Sequence, residues 1–128
     1  MKRGGILHPD LCHLLASTGH TDLITVCDRG FPVPEGPRRI DLALVDNLPT
    51  VLDVLRAVHA EFTLDRVLIT QEMTEVSPGR VQELRDLLGE VPLEALPHVE
   101  FKHLAATARA TIRTGDATPY ANIILVSG

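Results

Sequence analysis

The chain has no tryptophan, one tyrosine and three phenylalanines among 128 residues. Its core must therefore be built from Leu, Val, Ile and Ala. It has two cysteines, Cys12 and Cys27, too few for a disulfide framework; both read as small core hydrophobes. It has no run of basic residues. Lys and Arg number 12 against 17 Asp and Glu, for a net charge of −5. That argues against nucleic acid, which is bound through clustered positive charge. No apolar stretch approaches the roughly 20 residues that span a bilayer, so no membrane partner is expected. The opening Met1-Lys2-Arg3-Gly4-Gly5 is not followed by the apolar segment of a signal peptide. A cytoplasmic protein is expected. No internal repeat, low-complexity tract or linker is visible, so residues 1–128 read as a single domain.

Within these bounds, helical and strand-like segments alternate. Pro9-Asp10 opens an amphipathic run with Leu11, Leu14 and Leu15, stopped by Gly19, which predicts a short helix. Leu23 to Cys27 is a continuous apolar strand. Asp28 to Arg39 holds three prolines and two glycines and reads as a rigid loop. Ile40 to Leu44 reads as a strand. Thr50 caps a helix with Val51, Val54, Leu55 and Val58 at helical spacing. Val67 to Thr70 reads as a strand, and Pro78 to Leu88 as a helix with Ser77 as its cap and Gly89 as its stop. A short strand over Val91–Leu96, a helix over His98–Arg109, and strands over Ala110–Arg113 and Ala121–Val126 complete the chain. The pattern predicts an α/β three-layer sandwich with a mostly parallel or mixed sheet. The last two strands are joined by about seven residues, too few for a parallel crossover, so they are expected to be antiparallel.

The residues with chemistry lie at strand ends. His20 stands just before the first strand, in Gly19-His20-Thr21-Asp22, and Asp28 ends that strand. An imidazole exchanges a proton near neutral pH, but a surface or capping His is equally compatible with this position. Polar residues at strand ends often line ligand crevices in α/β sheets; Asp28 also fits a turn before Gly30. His98 follows Pro97 at a helix start and reads locally as an exposed end residue. Tyr120 and Asn122 are two apart, so on an extended backbone they share a face, pairing a stacking surface with an amide. Asp41 reads as structural. The six histidines show no ligand spacing supported by Cys or carboxylates, so no metal is expected. The glycines form no G-x-G-x-x-G pattern.

Six separated segments carry a more specific signal. They are Gly19-His20-Thr21-Asp22, Cys27-Asp28, Gly30-Phe31-Pro32-Val33-Pro34, Arg39-Ile40-Asp41-Leu42-Ala43-Leu44, Ile112-Arg113-Thr114-Gly115 and Pro119-Tyr120-Ala121-Asn122-Ile123-Ile124-Leu125. Together they resemble the D-ribose pyranase family, which is related to the fucose mutarotases. The resemblance is collinear over essentially the whole chain. It implies an isomerase that interconverts the pyranose and furanose forms of D-ribose without a cofactor. It implies His20 as the catalytic acid, with Asp28, His98, Tyr120, Ala121 and Asn122 binding the substrate. It further implies a homodecamer with sites at subunit contacts. Ala121 and the Arg39-Ile40-Asp41 segment favour the ribose type. Arg29 stands where the family often has a small residue. The alternatives are a mutarotase of another monosaccharide such as L-fucose, and a non-catalytic sugar-binding module.

Overall fold

Six strands form one sheet in the order β2-β5-β1-β6-β3-β4 in the computed structural model, which describes residues 1–128. The strands are β1 (Leu23–Cys27), β2 (Arg38–Asp41), β3 (Leu64–Thr70), β4 (Leu93–Leu96), β5 (Ala110–Arg113) and β6 (Ile123–Ser127). β1, β2 and β5 run parallel, and β4 runs parallel to β3. β6 is antiparallel to both neighbours, β1 and β3. The sheet is thus mixed, with a single reversed strand near its middle. The last two strands do run in opposite directions, but they are not paired with each other. β1 lies between them, so residues 114–122 cross from one side of β1 to the other.

Helices cover both faces. On one face lie α1 (Pro9–Ser17), α2 (Val51–His59), the short α3 (Gln71–Val76) and α4 (Pro78–Leu88); on the other lies α5 (His98–Ala105). Strand alternation sorts the core accordingly. Ile24, Val26, Ile123, Leu125, Val67 and Ile69 face the larger cluster, with Val54, Leu55, Val58 and Leu84. Cys27, Ile124, Val126 and Leu68 face the smaller one, with Phe101, Ala105 and Phe31 of the proline-rich loop. No helix is long and apolar enough to cross a membrane.

Local chemistry explains most boundaries. Thr50 and Asp53 form a reciprocal capping box at 3.1 and 2.9 Å, a device that contributes about 1 kcal/mol. Gly89 ends α4 with φ +59°, a conformation that costs glycine little. The end of α1 differs from expectation. Thr18 is extended and its hydroxyl donates to the Leu14 carbonyl at 2.6 Å, so the stop lies one residue before Gly19. α3 is an element that apolar periodicity does not reveal. Only Met73 of its six residues is buried, and Thr70, the end of β3, caps it at 3.0 Å.

Candidate active site

Parallel strands deliver their carboxyl ends to one edge of the sheet. The reversed β6 brings its amino end to that same edge. Asp28 leaves β1 there, Asn122 enters β6 beside it, and His98 follows β4. The Asn122 side-chain carbonyl accepts the Asp28 backbone N–H at 2.8 Å. One Asp28 carboxylate oxygen accepts from the Gly30 N–H at 3.0 Å. Burial raises the Asp28 carboxyl above the usual carboxylate range, against the hydrogen bonds from Gly30 and Phe31. The group therefore holds its proton more readily than a surface aspartate.

The aromatic half of the site adjoins. The His98 and Tyr120 rings meet edge to face at 5.7 Å, and His98 stacks on Phe101 at 6.5 Å. Both carboxylate oxygens of Glu72 lie 3.3 Å from the His98 backbone N–H, fixing the start of α5 from α3. His98 Nδ1 is buried without a hydrogen-bond partner.

Tyr120 is not in the extended conformation that its two-residue spacing to Asn122 suggests. It takes φ +55° in a turn ahead of β6 and is 38% exposed, whereas Asn122 is 4% exposed. The two side chains do not follow strand alternation; the turn swings the phenol out toward His98. Ala121 is fully buried and packs into the larger core, so only its backbone faces the site edge. A depression of about 180 Å³ beside Asp28 is lined also by Arg29, Asp116 and Thr118, but by neither His98 nor Tyr120. Arg29 separates it from a larger groove of about 450 Å³ that reaches Arg113. Arg29 itself pairs with Asp46 at 3.0 Å, and Arg113 with Asp41 at 3.0 Å.

His20 is elsewhere. It is exposed in the turn that enters β1, at the opposite edge of the sheet from Asp28. Five strand residues alone separate the two ends by about 17 Å. The turn is firmly built. Asp22 accepts the Gly19 N–H at 2.8 Å and pairs with Arg109 at 3.3 Å. The Thr21 N–H donates to the Ser127 carbonyl at 2.9 Å. Thr21 takes φ +69°, which is rare for a β-branched residue and marks places where surrounding structure holds strain. One chain therefore unites Asp28, His98, Tyr120 and Asn122, and leaves His20 apart.

Two residues that bear on this edge carry almost no local signal. Arg80 and Asp116 are 8% and 0% exposed and form an ion pair at 2.7 Å. Asp116 also accepts the N–H of Val51, the first residue of α2, at 2.9 Å. Burial opposes its ionisation, but Arg80 and the Thr118 and Val51 N–H groups outweigh that and hold its carboxyl below the usual range. Arg80 adjoins Val81 and Leu84 on the apolar stripe of α4, the one hint in sequence that it turns inward. Gly115 has a steric reason. A Cβ there would collide with the Val45 carbonyl.

Comparison with known proteins agrees with this architecture. A D-ribose pyranase of Geobacillus kaustophilus is 46% identical over 128 residues, spanning 100% of this chain and 94% of that protein. The structure of Bacillus subtilis RbsD complexed with D-ribose is 41% identical and superposes with a TM-score of 0.95, covering 100% of this chain and 98% of that one. A fucose mutarotase from Streptococcus pneumoniae in complex with L-fucose shares the fold at TM-score 0.75 and 21% identity, over 95% of this chain and 93% of that one. The model of the RbsD / FucU transport protein family matches residues 1–128 from end to end, and the chain belongs to that family.

Proposed function

We propose that this chain is a D-ribose pyranase, an isomerase that exchanges the six- and five-membered ring forms of D-ribose. The carrying observation is the junction of Asp28, Asn122, Tyr120 and His98 along one sheet edge, in a chain similar over its full length to D-ribose pyranases. A carboxyl, an amide, an imidazole and a phenol supply the mixed donors and acceptors that a polyol needs, and the ring faces offer apolar contact.

The chemistry required is proton transfer. Opening the hemiacetal breaks the bond between the anomeric carbon and the ring oxygen. That oxygen gains a proton as the anomeric hydroxyl loses one, leaving an aldehyde and a new free hydroxyl. Attack by the neighbouring hydroxyl, with the protons moved in reverse, closes the smaller ring. His20 gives the proton to the ring oxygen, and Asp28, His98, Tyr120, Asn122 and the Ala121 backbone hold the hydroxyls. Positioned acid catalysis is worth about 10²–10⁴-fold.

His20 cannot serve the cleft of its own chain across the sheet, so in this reading it acts on the cleft of a neighbouring copy. A homodecamer with sites at subunit contacts is the assembly the family resemblance favours. Exposed apolar side chains near the cleft, Val76 at 54% and Val99 at 66%, suit burial against a partner. The reading places the enzyme in the cytoplasm, in ribose catabolism. Its test is saturation-transfer NMR between ribopyranose and ribofuranose with and without protein, with L-fucose anomers in parallel. Faster ribose exchange is expected. Fucose exchange accelerated at least as well would replace the substrate assignment, and tight ribose binding without acceleration would replace the enzyme with a binding module.

A further inference from the structure

At the start of α4 the side chains of Ser77 and Arg80 reach from the helix to the turn at residues 116–119. Ser77 stands at the cap position of α4, yet its side chain makes no cap bond. Its hydroxyl donates instead to the Pro119 carbonyl at 2.8 Å. Three residues on, Arg80 Nη1 donates to Asp116 Oδ2 at 2.7 Å and Nη2 donates to Thr118 Oγ1 at 3.1 Å. Asp116 Oδ1 accepts the Thr118 N–H at 2.9 Å. Every one of these bonds falls on residues 116–119, directly ahead of Tyr120 with its positive φ.

We infer that Arg80, seconded by Ser77, is a positioning residue of the sugar site, locking the 116–119 turn and thereby setting Tyr120 against His98. A strut that merely tied α4 to the sheet would not need charge, because apolar pairs of similar volume commonly hold as well as buried ion pairs. A planar guanidinium does what an apolar strut cannot. It reaches a carboxylate and a hydroxyl two residues apart at once, in a fixed fork. α3 performs the matching task on the other wall, where Glu72 receives the His98 N–H. α3 and α4 are joined at Ser77, so one helical unit braces both the imidazole and the phenol. The inference rests on the reading of this edge as the ribose cleft.

The test exploits composition. Tyr120 is the sole tyrosine and there is no tryptophan, so intrinsic emission reports this one side chain. Arg80→Lys keeps a charge for Asp116 but loses the fork. The double variant Ser77→Ala/Thr118→Val leaves the buried ion pair intact, and it decides the question if Arg80→Lys does not assemble. In the unliganded full-length protein, time-resolved anisotropy should show freer Tyr120 rotation in both. In ribose exchange, KM should rise about tenfold, as for the loss of one or two hydrogen bonds. The maximal rate should stay within about threefold, since the acid comes from a neighbouring copy and its turn is held by Asp22 and Ser127, not by residues 116–119. Variants with a lowered melting temperature but wild-type Tyr120 anisotropy and KM would overturn the inference and leave Arg80 a stabilising residue only. A wild-type protein that does not accelerate ribose exchange would defeat the pyranase reading, while the anisotropy would still decide whether Arg80 sets Tyr120.

Discussion

Separation of His20 from the remaining site residues makes subunit complementation a stringent experiment. Two variants are needed, one lacking the proposed acid (His20→Ala) and one lacking the exposed half of the proposed cleft (His98→Ala/Tyr120→Ala). Each chain should fold, because His20 and Tyr120 are exposed and His98 is only half-buried within it. Each alone should be inactive, His20→Ala by about two to four orders of magnitude in exchange rate. Co-assembly from an equal mixture changes this. A contact works when its acid comes from a cleft-deficient chain and its cleft from an acid-deficient chain. Each condition is met half the time, so about one quarter of contacts in a closed symmetric assembly are complete. Ribose exchange in the mixture should reach about one quarter of the wild-type rate. The assay is NMR saturation transfer on refolded mixtures, with mass spectrometry of the intact assemblies to verify mixing. If mixed assemblies form and exchange stays at the level of the parents, His20 does not act across a contact. With the sheet keeping it about 17 Å or more from its own cleft, it would then cease to be the acid.

Three further outcomes follow from individual groups. Asp28 has a folded-state pKa raised by burial, so its stabilising contribution is full below the unfolded carboxylate range and is lost as pH rises through the folded value. Asp28→Asn should therefore melt higher than the parent at pH 7, with the gap closing toward pH 4, while ribose binding weakens; a lower melting temperature at pH 7 would contradict the burial argument. Asn122→Ala removes the acceptor for the half-buried Asp28 N–H and the amide proposed to hold a sugar hydroxyl; calorimetry should show weaker ribose binding as the dominant effect, by about 1 kcal/mol for one lost hydrogen bond, and unchanged affinity would exclude Asn122 from the site. Exhaustive dialysis against a chelator should leave ribose exchange intact, because the reaction needs only proton transfer; activity lost and then restored by zinc would refute that mechanism.

What sequence discloses here is what is local. The β1 boundaries, the Thr50 cap and the start of α4 at Pro78 depend on neighbours within a few residues, and the structure has them where the pattern puts them. β6 starts two residues later than the apolar run suggests, because Tyr120 takes a positive φ after a turn whose residues Asp116, Thr118 and Pro119 are bonded by Ser77 and Arg80, about forty residues away. The separation of β5 from β6 has the same origin. Nothing in residues 114–122 states that β1 will be inserted between them. α3 escapes notice because a six-residue helix with one buried side chain has no periodicity to detect. The Arg80–Asp116 pair is invisible for another reason. Each residue has an ordinary local role, as a helix residue and a turn residue, and only the fold joins them. The family resemblance joins His20 and Asp28 in one site and does not disclose that the five residues of β1 lie between them and set them at opposite ends of that strand.

Topology ties these observations to function through one reversed strand. Parallel strands present only carboxyl ends at the cleft edge, and the connecting helices and loops then depart. An antiparallel β6 adds an amino end there, and because it lies between β1 and β3 it fixes the sequence of groups along the edge. Asp28 comes from β1, Asn122 from β6, Glu72 from the helix after β3, and His98 from the residues after β4. The same reversal sends the end of β6 to the opposite edge, where the Ser127 carbonyl receives the Thr21 N–H and steadies the His20 turn. β6 is buried along its whole length and bonded on both sides. A slip of one residue in its register would turn Ile123 and Leu125 out of the larger core. That cost pins both ends of the strand at once, so the groups proposed to bind hydroxyls at one edge and the proposed acid at the other are held in fixed relation by a single core element. In the proposed assembly two such edges from adjacent copies meet as preformed halves, with little reorganisation left to oppose the alignment on which the proposed acid catalysis depends.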